Sequence, residues 1–295
     1  LIKPMLHRKA KAARLSIYSN SFLVVMNLIV GIISGSVSIL SEAIHTLVDL
    51  IASSIAFFSV KISDSPPDKE HPYGHGKFEN ISGVTEAILI FVASGLIIYH
   101  ALIQLTSETA INHTGITLGF IVMMISAIID MVVSRHLYKV AKETDSIALK
   151  ADALHLSVHV YTSFGVGVSL AVIYFTGWDF LDPVAAIVVA AFILKEAFEI
   201  LLEAFKPLTD NSLPEDELNT ITKIIDNNKE PHMLYHMVRT RKAGSNRELD
   251  FHLEVPGEMS VKSSHDLCDK IELELKKSIS NIVVTIHIEP LPEKN

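Results

Sequence analysis

Two pairs of metal-ligating side chains lie within apolar stretches of the sequence, and each pair is separated by four residues. His45 and Asp49 form the first pair, and His155 and His159 form the second. A spacing of four places both members of a pair on one face of an α-helix. Two such helices facing each other would present three imidazoles and one carboxylate, which suits a tetrahedral site for a borderline divalent ion such as zinc.

The apolar surroundings of these four residues restrict how they can be used. An ionisable side chain in an apolar helix is costly unless it faces protein, water or metal. The alternative is that the side chains only hydrogen-bond between helices, without metal. Two matched pairs favour the metal site, so we predict one at His45, Asp49, His155 and His159.

A short polar loop carries a second group of potential ligands. Asp68, His71 and His75 lie within the segment 68–77, which also contains two glycines. Glycine would allow this loop to fold tightly around an ion. A solvated loop without metal is the alternative.

The third group is near the C-terminus. Its members are histidines and one acid: His236, His252, His265, His287 and Glu289. In the segments 248–255 and 282–288 apolar residues alternate with polar ones, as in half-buried strands. His252 and His287 then lie off the hydrophobic core. Convergence of this group on a metal and a purely structural role for the histidines both stay open at this point.

The composition identifies the elements that must position these residues. Of the 295 residues, 49% are hydrophobic and 20% are charged, and the mean hydropathy is +0.38. This chain is too apolar for an ordinary soluble protein. The net charge of −8 makes nucleic acid an unsuitable partner. A single cysteine, Cys268, excludes an internal disulfide and fits a reducing compartment.

Six stretches are long and apolar enough to cross a bilayer, which requires about 20 residues each. They are 15–34, 39–60, 81–105, 115–134, 151–176 and 181–205. The connections on one side of these stretches contain no Lys or Arg, whereas those on the other side are rich in both. By the positive-inside rule, both termini of this multi-pass membrane protein are expected in the cytoplasm.

The composition changes after Phe205, where prolines and polar residues become frequent. We predict a transmembrane domain over 1–206 and a cytosolic α-β-β-α-β domain over 207–295. Ser260 is a suitable cap for the second helix of that domain. The predicted fold class is an α-helical membrane protein with six transmembrane helices and a C-terminal α+β domain.

Several motifs resemble the cation diffusion facilitator family: the segments 35–49, 71–77, 151–155, 182–183 and 286–290. This resemblance covers nearly the whole chain. It implies six spans, a metallochaperone-like cytosolic domain and a homodimer that exchanges divalent metal for protons. It also implies a transport site at the first group of ligands, a loop site at the second, and a cytosolic site near the dimer interface at the third.

One position departs from the pattern of the family. Members usually have aspartate at the position of His159. Three neutral imidazoles and one carboxylate leave a site with a bound divalent ion at a net charge of +1. Zinc remains the expected ion, with Co²⁺, Ni²⁺, Cd²⁺ and Fe²⁺ as alternatives, while the oxygen-preferring manganese is disfavoured.

The expected function is Zn²⁺/H⁺ antiport that exports metal from the cytosol by alternating access. The expected location is the cell (inner) membrane, in contact with lipid. Because His159 replaces the usual aspartate, an alternative stays open: the chain is a non-transporting metal-binding partner of another transporter. An enzyme is disfavoured, because the sequence contains no HExxH-like motif with which zinc hydrolases combine two ligands and a general base.

Overall fold

The computed structural model describes residues 2–34, 37–106, 116–176 and 180–292. The chain divides between Phe205 and Lys206 into two compact units, a helical one and an α+β one. The side chains of 1–7, 34–38, 41, 104, 107–120, 166–179 and 181–182 are outside this description. The connections between the first and second, third and fourth, and fifth and sixth predicted spans fall largely on those residues.

The first unit consists of six long helices. They are α1 (Ile2–Ser34), α2 (Val37–Ser63), α3 (Lys77–Thr106), α4 (Ile116–Thr144), α5 (Ile147–Thr176) and α6 (Leu181–Phe205). Several extend beyond the predicted spans: α1 begins 13 residues before the predicted start at residue 15, and α4 continues ten residues past 134. Hydropathy marks the apolar part of a helix, whereas backbone hydrogen bonding continues into the polar turns that follow.

Four segments in the described residues are long and apolar enough to span a membrane. They are Arg8–Ile33, Glu42–Ser63, Lys77–Ile103 and Ile121–Thr144, one in each of the helices α1 to α4. Parts of α5 and α6 lie among the side chains that are not described, so this search does not bear on the fifth and sixth predicted spans.

Helix packing in the first unit relies on small side chains. The most extensive packing joins α1 to α2, α3 to α6 and α4 to α5. Ala12, Ala141 and Ala148 are nearly inaccessible and form one apolar cluster with Leu137 and Leu156. Small residues allow helices to approach closely in a membrane, where packing and hydrogen bonds drive association. This close packing fixes α5, which carries two predicted ligands, against α4.

Two polar networks also connect these helices. Near one end of the unit, Lys9 of α1 donates to Glu79 of α3 at 2.8 Å, and both are almost fully buried. Deeper in the unit, the hydroxyls of Ser16 and Ser53 lie 3.1 and 3.2 Å from Oδ1 of Asp152. This second network joins α1, α2 and α5, and its member on α5, Asp152, lies three residues before His155.

The second unit is a three-stranded sheet with two helices. After a 3₁₀ helix (Lys206–Thr209), its elements are α7 (Glu215–Asn228), β1 (Leu234–Ala243), β2 (Asn246–Val255), α8 (Val261–Ser278) and β3 (Ile282–Pro290). The strand order is β1-β2-β3, with β1 antiparallel and β3 parallel to β2. This α-β-β-α-β order matches the sequence prediction. Ser260 caps α8, because its hydroxyl accepts from the Ser263 N–H at 3.1 Å.

The sheet buries one face and leaves the other polar. Leu249, Phe251 and Leu253 of β2 are at most 2% exposed and pack with Ile221 of α7 and Ile271 of α8. On the opposite face, strand pairing aligns polar residues of β2 with those of β3: His252 with His287, and Glu254 with Glu289. The histidines therefore lie off the hydrophobic core, as the alternation predicts.

Candidate metal sites

The first candidate site lies between α2 and α5. The Nε2 of His155 is 3.0 Å from Oδ1 of Asp49, and the Nε2 of His159 is 3.4 Å from Oδ2 of the same carboxylate. The ring of His45 lies 5.3 Å from that of His159, centroid to centroid. His45, Asp49 and His159 each place one ligand atom within 4.8 Å of the others. The helical spacing thus brings all four predicted residues together, with Asp49 at the centre.

This site opens into a cavity of about 370 Å³. Asp49 and His155 are buried, at 4% and 9% exposure, whereas His45 is exposed. Two further acids line the cavity, Glu42 and Asp130. A polar cavity of this size holds several waters beside an ion. A cation here would exchange its hydration shell for carboxylate and imidazole ligands.

Sequence reasoning did not include Asp130 or Glu42 among the ligands. Asp130 belongs to α4 and is 4% exposed, and its Oδ1 has no hydrogen-bond partner among the described residues. The available signal is an ionisable residue in an apolar span, which by itself points to a functional position. Its proximity to the cavity depends on how α4 packs, which spacing along α4 does not reveal.

The second candidate site is in the loop between α2 and α3. The carboxylate of Asp68 lies 3.4 Å from Nδ1 of His71 and 3.3 Å from Nε2 of His75. All three place ligand atoms within 4.8 Å of one another. The chain reverses at Gly74, whose φ of +85° favours glycine. The loop therefore brings together the three residues predicted for it.

Backbone N–H groups of this loop hold the carboxylate of Asp68 in place. The N–H groups of His71 and Glu70 donate to its Oδ1 at 2.6 and 2.9 Å. These hydrogen bonds, that from His71 foremost, hold the pKa of the Asp68 carboxyl below its ordinary value. The carboxylate is thus ionised throughout the physiological range.

The third candidate site lies on the polar face of the sheet. Glu289 is at its centre: Oε1 lies 2.9 Å from Nδ1 of His252, and Oε2 lies 3.4 Å from Nε2 of His236. These three residues place ligand atoms within 4.8 Å of one another. The ring of His287 is 4.7 Å from that of His252, and its Nε2 lies 3.5 Å from Glu289. The pairing of β2 with both neighbours produces this cluster, because His252 lies opposite His236 of β1 on one side and His287 of β3 on the other.

His265 is separate from that cluster within the described chain. It lies on α8, where its Nδ1 is 3.2 Å from Oδ2 of Asp269, and its side chain is 71% exposed. The group of three mutually close ligands contains His236, His252 and Glu289 but not His265. Its assignment to the cytosolic site stays a prediction.

Two family models together match nearly the whole chain. Residues 13–209 match the cation efflux transmembrane domain, and residues 213–291 match the cytoplasmic domain of cation efflux proteins. The chain is 37% identical to the uncharacterized transporter sll1263 of a Synechocystis strain, over 88% of this chain and 84% of that protein.

Two further relatives are called cation-efflux pump FieF. The protein from Yersinia enterocolitica is 30% identical over 97% of this chain and 95% of its own length. The protein from Shewanella oneidensis is 27% identical over 95% and 93%. These matches confirm the predicted fold class, a helical membrane domain followed by a cytosolic α+β domain. The chain belongs to the cation diffusion facilitator family and is a multi-pass cation efflux transporter.

Proposed function

We propose that this protein exports zinc from the cytosol in exchange for protons, by alternating access of the site between α2 and α5. The supporting observation is that Asp49 contacts both His155 and His159 between apolar helices, beside a cavity that Asp49 and His159 line. Hydrated ions do not cross a bilayer unaided, and side chains buried within spans are the means by which transporters replace hydration. The homodimer would lie in the cell (inner) membrane with both termini in the cytoplasm.

Proton coupling is proposed from the chemistry of the ligands. Imidazole must be neutral and carboxylate ionised to bind metal, so protons and metal compete for the same atoms. When the cavity faces the more acidic compartment, protons would displace the ion from its ligands. When it faces the cytosol, deprotonation would restore the site.

Zinc is proposed as the main substrate because imidazoles outnumber carboxylates among the four ligands. Zinc accepts a tetrahedral set of nitrogen and oxygen donors without electronic preference for another geometry. Co²⁺, Ni²⁺, Cd²⁺ and Fe²⁺ accept overlapping donor sets and are the ions to compare. Manganese prefers oxygen donors and should be carried poorly.

The loop site and the cytosolic site are proposed as additional zinc sites. Metal on the polar face of the sheet would tighten the homodimer and make transport respond to cytosolic zinc. Alanine at His252 and His287 tests this regulation. Unchanged dimer stability and an unchanged transport response in that variant would contradict it.

The test of the main proposal is ion flux in proteoliposomes with a zinc indicator or a pH dye inside. Zinc should move in one direction and protons in the other, and Asp49→Ala should abolish both movements. Each alternative ion is measured in the same way. Equal zinc flux with and without a pH gradient, and no proton movement, would refute antiport.

A second candidate function is suggested by His159, which replaces the aspartate usual in the family. The chain could instead be a metal-binding regulatory partner of another transporter. Zinc binding at the site between α2 and α5, combined with no flux of any ion, would favour this function over transport.

A further inference from the structure

The buried carboxylate of Asp130 on α4 points to a role outside its own helix. It is 4% exposed, and its Oδ1 has no hydrogen-bond partner among the described residues. Its side chain lines the cavity of the site between α2 and α5. The Oγ of Ser126, which lines the same cavity, is likewise buried and without a hydrogen-bond partner among the described residues. Unpartnered buried polar atoms are rare in native proteins and require an explanation, of which a bound ion is one.

The charges around Asp130 define which ligand would fit. The carboxylate interacts electrostatically with His159 and His155, and with two further acids, Asp49 and Glu42. Three carboxylates therefore share one cavity. Like charges brought together away from water repel each other strongly unless a cation lies among them. Asp130 is the best placed to act on a bound ion, because Glu42 is exposed and solvated.

Hydrogen bonds hold this part of α4 against α5. Ser134, one helical turn after Asp130, donates from its hydroxyl to the carbonyl of Ala153 at 2.7 Å. The same hydroxyl lies 2.6 Å from that of Ser157, two residues before His159. The carboxylate of Asp130 is thus fixed relative to the helix that carries His155 and His159, as a charge that acts on a bound ion has to be.

We propose that Asp130 supplies the second negative charge of the transport site, in place of the carboxylate missing at position 159. The inference rests on the proposed transport of a divalent ion. With Asp49 alone, a site occupied by a divalent ion keeps a charge of +1 among apolar helices, and Asp130 neutralises it. Relative to the family pattern, the second carboxylate is then on α4 instead of α5, while the ion still binds between α2 and α5.

The decisive experiment is a double-mutant cycle on zinc affinity at this one site. The intact protein is used, with Asp68→Ala and His252→Ala to weaken the other two sites, and zinc alone is the probe. We expect Asp130→Asn to weaken zinc binding by about 10- to 100-fold, as loss of a charged partner of a metal site does. With His159→Asp present, the same Asp130→Asn change should have little effect, because position 159 then carries the charge.

Glu86→Gln is the matched control for loss of a buried carboxylate. Glu86 lies on α3, is 1% exposed and does not line this cavity. We expect it to leave zinc affinity at the site unchanged. An equal loss of affinity in Glu86→Gln, unaltered binding in Asp130→Asn, or no rescue of Asp130→Asn by His159→Asp would each overturn the proposal.

Failure of this inference can be separated from failure of the proposed function. Binding, not flux, is the readout of the cycle, so it gives an answer even if the wild-type protein moves no zinc. Flux in wild type, together with an unaltered affinity in Asp130→Asn, would refute the role of Asp130 and leave transport in place. A purely structural role of Asp130 would not be rescued by a carboxylate on a different helix.

Discussion

The Nε2 of His155 on α5 lies 3.0 Å from Oδ1 of Asp49 on α2, and both residues are buried. This contact couples two helices through atoms that a metal ion would also use. An ion that binds there replaces a hydrogen bond between helices with coordinate bonds to both of them. Metal loading and the packing of α2 on α5 are therefore linked.

From this link we expect His155→Ala to reduce zinc flux by at least about tenfold, since loss of even an outer partner of a metal site costs that much. Flux into proteoliposomes at a fixed pH gradient is the measurement. His136→Ala is the control, because His136 is an exposed histidine of α4 outside all three sites. Similar flux in the two variants would contradict the assignment of His155.

The loop site depends on the backbone at Gly74. We expect Gly74→Ala to weaken zinc binding to the loop, because an L-residue at a φ of +85° is strained by about 1–2 kcal/mol. That energy corresponds to a factor of about 5 to 30 in affinity. A methyl group there would lie 3.8 Å or more from its nearest neighbour, Pro67, so the conformation and not crowding is the cause.

The measurement for Gly74 is zinc titration of protein that carries Asp49→Ala and His252→Ala. Gly257→Ala serves as the control, because an added methyl group there meets nothing within 4 Å and its φ is not positive. If both alanine variants bind zinc as tightly as the parent, the loop does not need its observed conformation to hold metal.

Asp64, just beyond the end of α2, gives the fold a defined pH dependence. Burial, aided by repulsion from Glu79 and opposed by Lys9 at 3.6 Å, raises the pKa of Asp64 from 3.8 to about 6. Between pH 3.8 and about pH 6, the folded protein therefore keeps a proton on Asp64 that the unfolded chain has released. This contribution to stability grows as the pH falls from 7 toward 4.

We accordingly expect Asp64→Asn to raise the melting temperature at pH 7.5 and to have a smaller effect at pH 5. Thermal unfolding of detergent-solubilised protein across this range is the measurement. The difference in melting temperature between Asp64→Asn and the wild-type protein reports on residue 64, since all other titrating groups are common to both proteins. A difference between the two proteins that stays constant with pH would show that the carboxylate is not the titrating group.

The cytosolic site should stabilise its domain through Glu289. At zinc concentrations about 100 times the dissociation constant, binding adds about 2.7 kcal/mol to the free energy of unfolding. We expect Glu289→Gln to lose most of this zinc-dependent increase, because it removes the charge shared by His236 and His252. Thermal unfolding with zinc and with chelator measures it.

Glu258→Gln provides the matched control for the cytosolic site. Glu258 is exposed in the loop after β2, so its change to glutamine should preserve the response to zinc. An equal response in Glu289→Gln would place the ion elsewhere on the domain.

Short-range patterns explain how much could be read from the sequence. The four-residue spacing in α2 and α5 and the two-residue alternation in β2 and β3 are direct consequences of helix and strand geometry. Both patterns already place the predicted ligands on the faces on which the structure has them. The approach of Asp130 to His159 depends instead on packing between α4 and α5, which no spacing within one helix encodes. The position of His265 relative to the strands is likewise not encoded by spacing, since α8 and the strands are related only through tertiary structure.

The ion pair between Lys9 and Glu79 has a mechanical consequence for movement of the helices. Leaving either charge buried without its partner would cost about 3–5 kcal/mol, so the two side chains stay together as the protein moves. In the proposed alternating access, the pair would act as a pivot near one end of α1 and α3. The part of α3 from Glu79 to Thr106 is then a lever about 40 Å long, and a rotation of about 10° displaces its far end by about 7 Å. A small tilt at the pivot is thus amplified at the opposite side of the bundle.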